Sequence, residues 1–192
     1  MIEAFIDESL REPGGQRPAG AVYILACAVV SGLRAGVIRR SLRGVLRPHQ
    51  HRFHWHDEAA EGRRAMVDRL ARCDFRSVAA VCPVPDPRRS ERARRLCLSR
   101  LLWELRGLKL DRLVLESRSG HSDRMDQAIL GWGRRAGLCP ARLACDFGLP
   151  GEEPLLWIPD SIAGAIGQSL SGDRGFLLGL GGRAPIVHEV FP

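Results

Sequence analysis

The sequence predicts an α/β fold. It reads as a mixed five-stranded sheet flanked by helices, with a helical insertion between strands 2 and 3, in one domain over residues 1–192. Three observations lead there. Two apolar runs open the chain back to back, as a strand pair does. Amphipathic helical patterns then alternate with short β-branched runs, the rhythm of helices packed on a sheet. Acidic residues stand at the ends of the first and fourth of these runs and at the start of the last helix.

Residues 2–7 form the first strand, Ile2-Glu3-Ala4-Phe5-Ile6 running into Asp7-Glu8-Ser9. Residues 10–20, rich in Pro and Gly, read as a turn or hairpin loop. Residues 21–30 (AVYILACAVV) are unbroken apolar sequence, as expected of a strand covered on both faces. The insertion spans about 33–72, with helices at 33–46 and 57–72 around the segment from Pro48 to His56. A third strand at 75–82 is expected to stop at Pro83, since proline cannot donate to a ladder. Over 88–107, Leu98, Leu101, Leu102 and Leu105 recur at helical spacing, with arginines on the other face.

Residues 111–116 form a fourth strand ending in Glu116. A helix over 122–137 has Ser122 as its expected N-cap, and 141–147 form a short fifth strand. Ile158, Ile162, Ile166 and Leu170 place a last helix from about Asp160. The Gly-rich tail, 171–192, is expected to be irregular.

The composition is globular, 45% hydrophobic and 27% charged. A formal charge of +7 and 28 Arg against the single Lys109 suit a polyanionic partner, nucleic acid in particular, whether DNA or RNA. Genomic base composition produces the same imbalance as readily as phosphate recognition. The cysteines (27, 73, 82, 97, 139 and 145) form no C-x-x-C pair and lie mostly in apolar stretches, where a free thiol packs as a small hydrophobe. Met1 leads directly into a strand, without the basic and apolar regions of an export signal. No apolar run approaches the ~20 residues that cross a bilayer. A reduced, cytoplasmic protein without a membrane partner is the expectation.

The element order, with acids at the ends of strands one and four and at the last helix, resembles the RNase H-like fold of ribonuclease H, integrases, transposases and junction resolvases. Within it, FIDES followed by YILACAVV, with ESR-S-x-x-D at Glu116–Asp123 and PDSIAGAI at Pro159–Ile166, resembles a bacterial family of uncharacterised proteins that begin with Asp-Glu-Ser. The likeness covers roughly residues 2–170. It implies that strands one and four are adjacent and parallel, so that Asp7 and Glu116 lie side by side and the last helix aims Asp160 at them. Such carboxylates would hold Mg²⁺ or Mn²⁺ for cleavage of a phosphodiester.

The expected catalytic set is Asp7, Glu8, Glu116, Asp160 and His56, with Asp7, Glu116 and Asp160 as metal ligands. Each acid has an ordinary alternative. Asp160 reads equally as a helix N-cap, and Glu116 as a partner of Arg118. Glu8 should face away from Asp7, since neighbouring strand residues point to opposite faces. Asp123 and Asp126 fit an acidic first helical turn or accessory ligands.

Four histidines (His49, His51, His54 and His56) precede Asp57 and Glu58. With no Cys pair or helical H-x-x-x-H, zinc is disfavoured. The resemblance implies instead a His and acid near the carboxylates, matched loosely by His54, His56 and Asp57. Nucleic-acid binding is expected at Arg88, Arg92, Arg95 and His54. The four Trp residues, 55, 103, 132 and 157, read as core, with Trp55 as a possible base-stacking platform. Gly179-Leu180-Gly181-Gly182 lacks the Lys-Ser/Thr of a P-loop. The functional expectation is a divalent-metal-dependent nuclease or related phosphodiester-processing enzyme. The competing reading is a non-catalytic RNase H-like module that binds nucleic acid or a protein.

Overall fold

A computed structural model describes residues 1–11 and 21–191. The turn expected at 10–20 therefore lies almost wholly outside the described residues. The strands are β1 (Ile2–Arg11), β2 (Ala21–Ser31), β3 (Arg76–Val84), β4 (Arg112–Glu116), β5 (Ala144–Gly148) and β6 (Ile186–Glu189). Six helices accompany them: α1 (Gly32–Arg43), α2 (Ala60–Ala71), α3 (Ser90–Leu105), α4 (Gly120–Arg135), α5 (Trp157–Leu170) and the short α6 (Gly175–Gly179). The molecule is α/β, with a mixed sheet in the order β5-β4-β1-β2-β3-β6. β1 and β2 are antiparallel, as are β2 and β3; β1 with β4, β4 with β5, and β3 with β6 are parallel.

The sheet has six strands, not five. The extra one comes from the tail expected to be irregular, which holds α6 and β6 and lays β6 along the outer edge of β3. β3 also runs through Pro83 to Val84, against expectation. The reason is local: Val81 O accepts from Val190 N at 2.9 Å, so Pro83, two residues on, turns its missing N–H to that same edge beyond the end of β6. The last helix begins at Trp157, with Asp160 inside its first turn. The N-cap of α4 is Ser119, whose Oγ accepts from Ser122 N, and not Ser122 itself.

Alternation along the strands divides the core into two layers. Phe5, Ile24, Ala26, Val81 and Val114 face α1, α2, α5 and α6. Ala4, Ile6, Leu25, Cys27, Cys82, Leu113 and Leu115 face α3 and α4. β2 is covered on both sides, which explains its continuous apolar sequence. Trp55 and Trp157 are fully buried, but Trp103 and Trp132 are half exposed, so only two of the four fulfil the core expectation. Five of the six cysteines are buried and all are free thiols. Among the described residues no helix is long and apolar enough to cross a membrane.

The α3/α4 layer contains one strongly polar element. Arg94, expected on the exposed face of α3, is 1% exposed. Its Nε and Nη2 donate to the two oxygens of Asp126, at 2.8 and 2.6 Å, and Nη1 donates to Tyr23 Oη at 2.9 Å and to Glu8 Oε2. Arg118 extends the cluster, 3.4 Å from Glu8, 3.6 Å from Asp126 and 2.6 Å from Glu91. Replacing Arg94 leaves buried Asp126 without its bidentate guanidinium, with Arg118 3.6 Å away as its remaining cation. Arg94→Met should lower the free energy of unfolding by about 3–5 kcal/mol, and urea denaturation will measure it.

Candidate acidic site at the strand ends

Asp7 and Glu116 are neighbours because of register and face. β1 and β4 run parallel with Phe5 opposite Val114 and Ile6 opposite Leu115, and continuing that register by one residue sets Asp7 beside Glu116; β4 ends there, whereas β1, expected to end at Asp7, runs on to Arg11 because its pairing with β2 continues. Phe5 and Val114 face the α5 layer, and period-2 alternation gives Asp7 and Glu116 the same face. Asp7 is 7% exposed, and its Oδ1 accepts from Glu8 N at 2.7 Å. The two carboxyls are close enough that each alters the other's protonation.

Asp160 comes to the pair from the first turn of α5. It caps no helix end. Its Oδ2 accepts from Trp55 N at 2.8 Å, across 105 residues, and so pins the turn Trp55–Asp57 against α5. Burial is the largest influence on all three acids and drives each above the ordinary carboxylate range. For Asp7 the negative charges of Glu116, Asp160 and Glu8 push the same way. For Glu116 burial is opposed by Asp7, His54 and Arg52. Asp160 is pushed up to about 6 by burial, against the Trp55 N–H and His54, with Glu116 adding to the rise.

Among the described residues no three His, Cys, Asp or Glu side chains are arranged so that together they could hold a metal ion. Glu116 and Asp160 thus raise the protonation of Asp7, and Glu116 raises that of Asp160, whose carboxyl is tied to the Trp55 backbone. Chemically this is a cluster of hard oxygen donors that retains protons to higher pH than isolated carboxyls would.

The remaining expected residues fall in several places. Glu8 lies on the opposite face of the sheet from Asp7, bound to Arg94 and Arg118, as strand alternation requires. Asp126 lies in that same cluster, and Asp123 accepts from Ser117 Oγ at 2.7 Å and Arg118 N at 3.1 Å, bracing the β4–α4 loop. Neither acid stands beside Asp7. Glu116 is paired with Asp7, not with Arg118, whose partners are Glu8, Glu91 and Asp126.

His54 and His56 flank buried Trp55, with ring centroids 5.9 Å apart. His54 Nδ1 is 3.1 Å from Asp57 Oδ2 but makes no aligned hydrogen bond. Burial, then Arg11, His54 and Arg63, hold His56 below its usual protonation range, against Asp57. His49 and His51 are exposed on the preceding loop, with His49 at φ 69°. Arg88, Arg92 and Arg95 are exposed on the α3 side of the sheet, away from Asp7. Arg92 and Arg95 line a cleft of about 710 Å³ between α3 and α4, together with Met125, Ile129 and Trp132.

Arg11 and Arg63 were not anticipated, although both act electrostatically on this site. Nor were Gly164 and Gly167. A Cβ at Gly164 would overlap the Trp55 ring, and one at Gly167 would lie 2.6 Å from Arg11 Nε. The PDSIAGAI stretch carried the first of these glycines, without any sign of what it approaches. No protein-family model matches the chain, and neither does any curated protein.

The raised carboxyls make stability depend on pH. The folded protein keeps protons that the unfolded chain releases, so wild-type stability falls as pH rises from the ordinary Asp value of 3.8 through about 6. Asp160→Asn removes the charge but keeps an oxygen for Trp55 N. Without divalent cations this variant should be about 1–3 kcal/mol more stable than wild type at neutral pH and lose the advantage in acid. Urea titrations in EDTA across that range will check the sign.

Proposed function

We propose that the protein is a divalent-metal-dependent nuclease of RNase H-like architecture, acting on nucleic acid. The observation that carries this reading is the Asp7–Glu116 pair on two adjacent parallel strands, Glu116 at the end of β4 and Asp7 within β1, with Asp160 brought beside it from α5. The order β5-β4-β1-β2-β3, with those acids on one face, agrees with what the resemblance implies; β6 is an addition at the outer edge. A partner that neutralises the cluster would relieve the repulsion between buried acids.

Mg²⁺ commonly takes only one or two carboxylates and fills its remaining positions with water and substrate phosphate. Asp7 and Glu116, once both are deprotonated, fit that requirement without a closed three-ligand cage. A bound Mg²⁺ or Mn²⁺ would supply acidification of water and neutralisation of charge on the phosphate. Asp7 is oriented for this role by Glu8 N–H, and Asp160 would assist from α5. His56, exposed and held below its usual protonation range, is suited to accept or pass a proton at a ring nitrogen. Arg88, Arg92 and Arg95 serve this reading as distant phosphate contacts, for a strand that crosses the end of the sheet.

The competing reading, a module that binds without cleaving, draws support from the lack of a three-residue metal group among the described residues. Two measurements separate them. Asp7→Asn should lose Mn²⁺ affinity and at least about a hundredfold of the cleavage rate while remaining folded, and EDTA should abolish wild-type cleavage. Cleavage that persists in EDTA defeats the metal mechanism. No cleavage of single- or double-stranded DNA or RNA with either cation leaves the binding module. Arg88→Ala with Arg92→Ala should weaken binding and flatten its salt dependence, leaving the chemistry on bound substrate largely intact.

A further inference from the structure

We propose that Arg11, Arg63 and His56 form an anion subsite beside the acidic pair, holding a phosphate of the substrate strand next to the one positioned for cleavage. The inference rests on the nuclease reading for the identity of that strand.

One face of α5 supports it. Asp160, Gly164 and Gly167 are spaced i, i+4 and i+7, so they lie along a single helix face. Asp160 holds Trp55 N, Gly164 lies beneath the Trp55 ring, and Gly167 lies beneath the side chain of Arg11. A Cβ on Gly167 would stand 2.6 Å from Arg11 Nε and 2.9 Å from its Cγ. Arg11 closes β1 on the same face as Asp7, four strand residues away, which is about 13 Å between Cα atoms.

Arg63 arrives from α2 on the other side of the turn. Its Nε donates to Trp55 O at 2.9 Å, its Nη2 reaches His56 O at 3.5 Å, and its guanidinium carbon lies 5.4 Å from the Trp55 ring centre. The turn is therefore clamped between α5 and α2, and it presents His56 to solvent near both arginines. Arg11 Nε is shielded from solvent and meets no hydrogen-bond acceptor among the described residues. After burial, Arg63 is the main influence lowering the protonation of Arg11, and Arg11 and Arg63 both lower that of His56. Positive groups held together by packing repel, and a phosphate between them would remove that cost while accepting several charge-assisted hydrogen bonds. Asp160 joins the two clusters, since it feels Glu116 on one side and Arg11 on the other.

The test separates this subsite from the nuclease reading by working without metal. Binding of a short single-stranded oligonucleotide is measured in EDTA over a series of salt concentrations, for wild type, Arg11→Gln, Arg11→Lys and Gly167→Ala. Arg11→Gln should weaken binding about tenfold and reduce the slope of log K against log salt by about 0.7. Arg11→Lys should keep the slope, and Gly167→Ala, which displaces the Arg11 side chain, should weaken binding as Arg11→Gln does. Mn²⁺ affinity, measured separately, should be the same in wild type and Arg11→Gln. Unchanged affinity and slope in folded Arg11→Gln would overturn the subsite. Inorganic phosphate that binds as tightly as the oligonucleotide, with both lost in Arg11→Gln, would overturn the assignment to a strand. Failure of Mn²⁺ binding in wild type would sink the nuclease reading while leaving the oligonucleotide result to stand by itself.

Discussion

The buried guanidinium of Arg94 is the constraint on which the geometry at the strand ends depends. It draws together Glu8 from β1, Tyr23 from β2 and Asp126 from α4, while itself belonging to α3. β2, α3 and α4 are thereby tied to the second half of the central strand. Buried ion clusters add little net stability, because desolvation offsets much of the Coulomb gain, but losing one member is costly. The cluster thus restrains position more than it stabilises. Glu8 is its point of attachment to β1, and the residue before it, facing the opposite way, is Asp7. Glu8 also donates its backbone N–H to Asp7 Oδ1. The residue that anchors the strand on one face therefore orients the acid on the other.

The second support comes from α5. Its mostly apolar sequence packs against β1 and β2, and ten of its fourteen residues are buried, so Asp160 enters a low-dielectric setting. A lone carboxylate there is costly, and two things offset the cost: the Trp55 N–H and retention of a proton to about pH 6. The same hydrogen bond brings the histidine turn to the acids. Two glycines on that helix face permit the approach, one beneath an indole and one beneath an arginine, where any larger residue would force the neighbour to move. The geometry of the site thus depends as much on missing side chains as on charged ones.

Much of the fold could be read from local patterns. The continuous apolar run of β2 announced burial on both faces, and the leucines of α3 announced its core face. Both signals are set by periodicity within one element. The tail could not be read this way. β6 is four residues long, largely exposed, and stabilised by pairing with β3, a partner about a hundred residues away. Pro83 misled for a related reason, because whether a missing N–H matters depends on which edge it faces. Arg94 misled as well: arginine at a helix start reads as solvated, and only the approach of Asp126, Glu8 and Tyr23 makes burial affordable.

The sequence by itself determined the alternation of strand and helix, the position of Glu116 at a strand end, and the separation of Glu8 from Asp7 by strand pleat, whereas Asp7, read as a strand end, lies within β1. These follow from the two-residue period of a strand and need no knowledge of neighbours. Tertiary structure alone decided that Asp160 joins Asp7 and Glu116, that it binds Trp55 N instead of capping its helix, and that Arg11 and Arg63 converge on His56. Each of those facts joins elements far apart in the chain, and each is set by side-chain packing between layers, which no local pattern encodes.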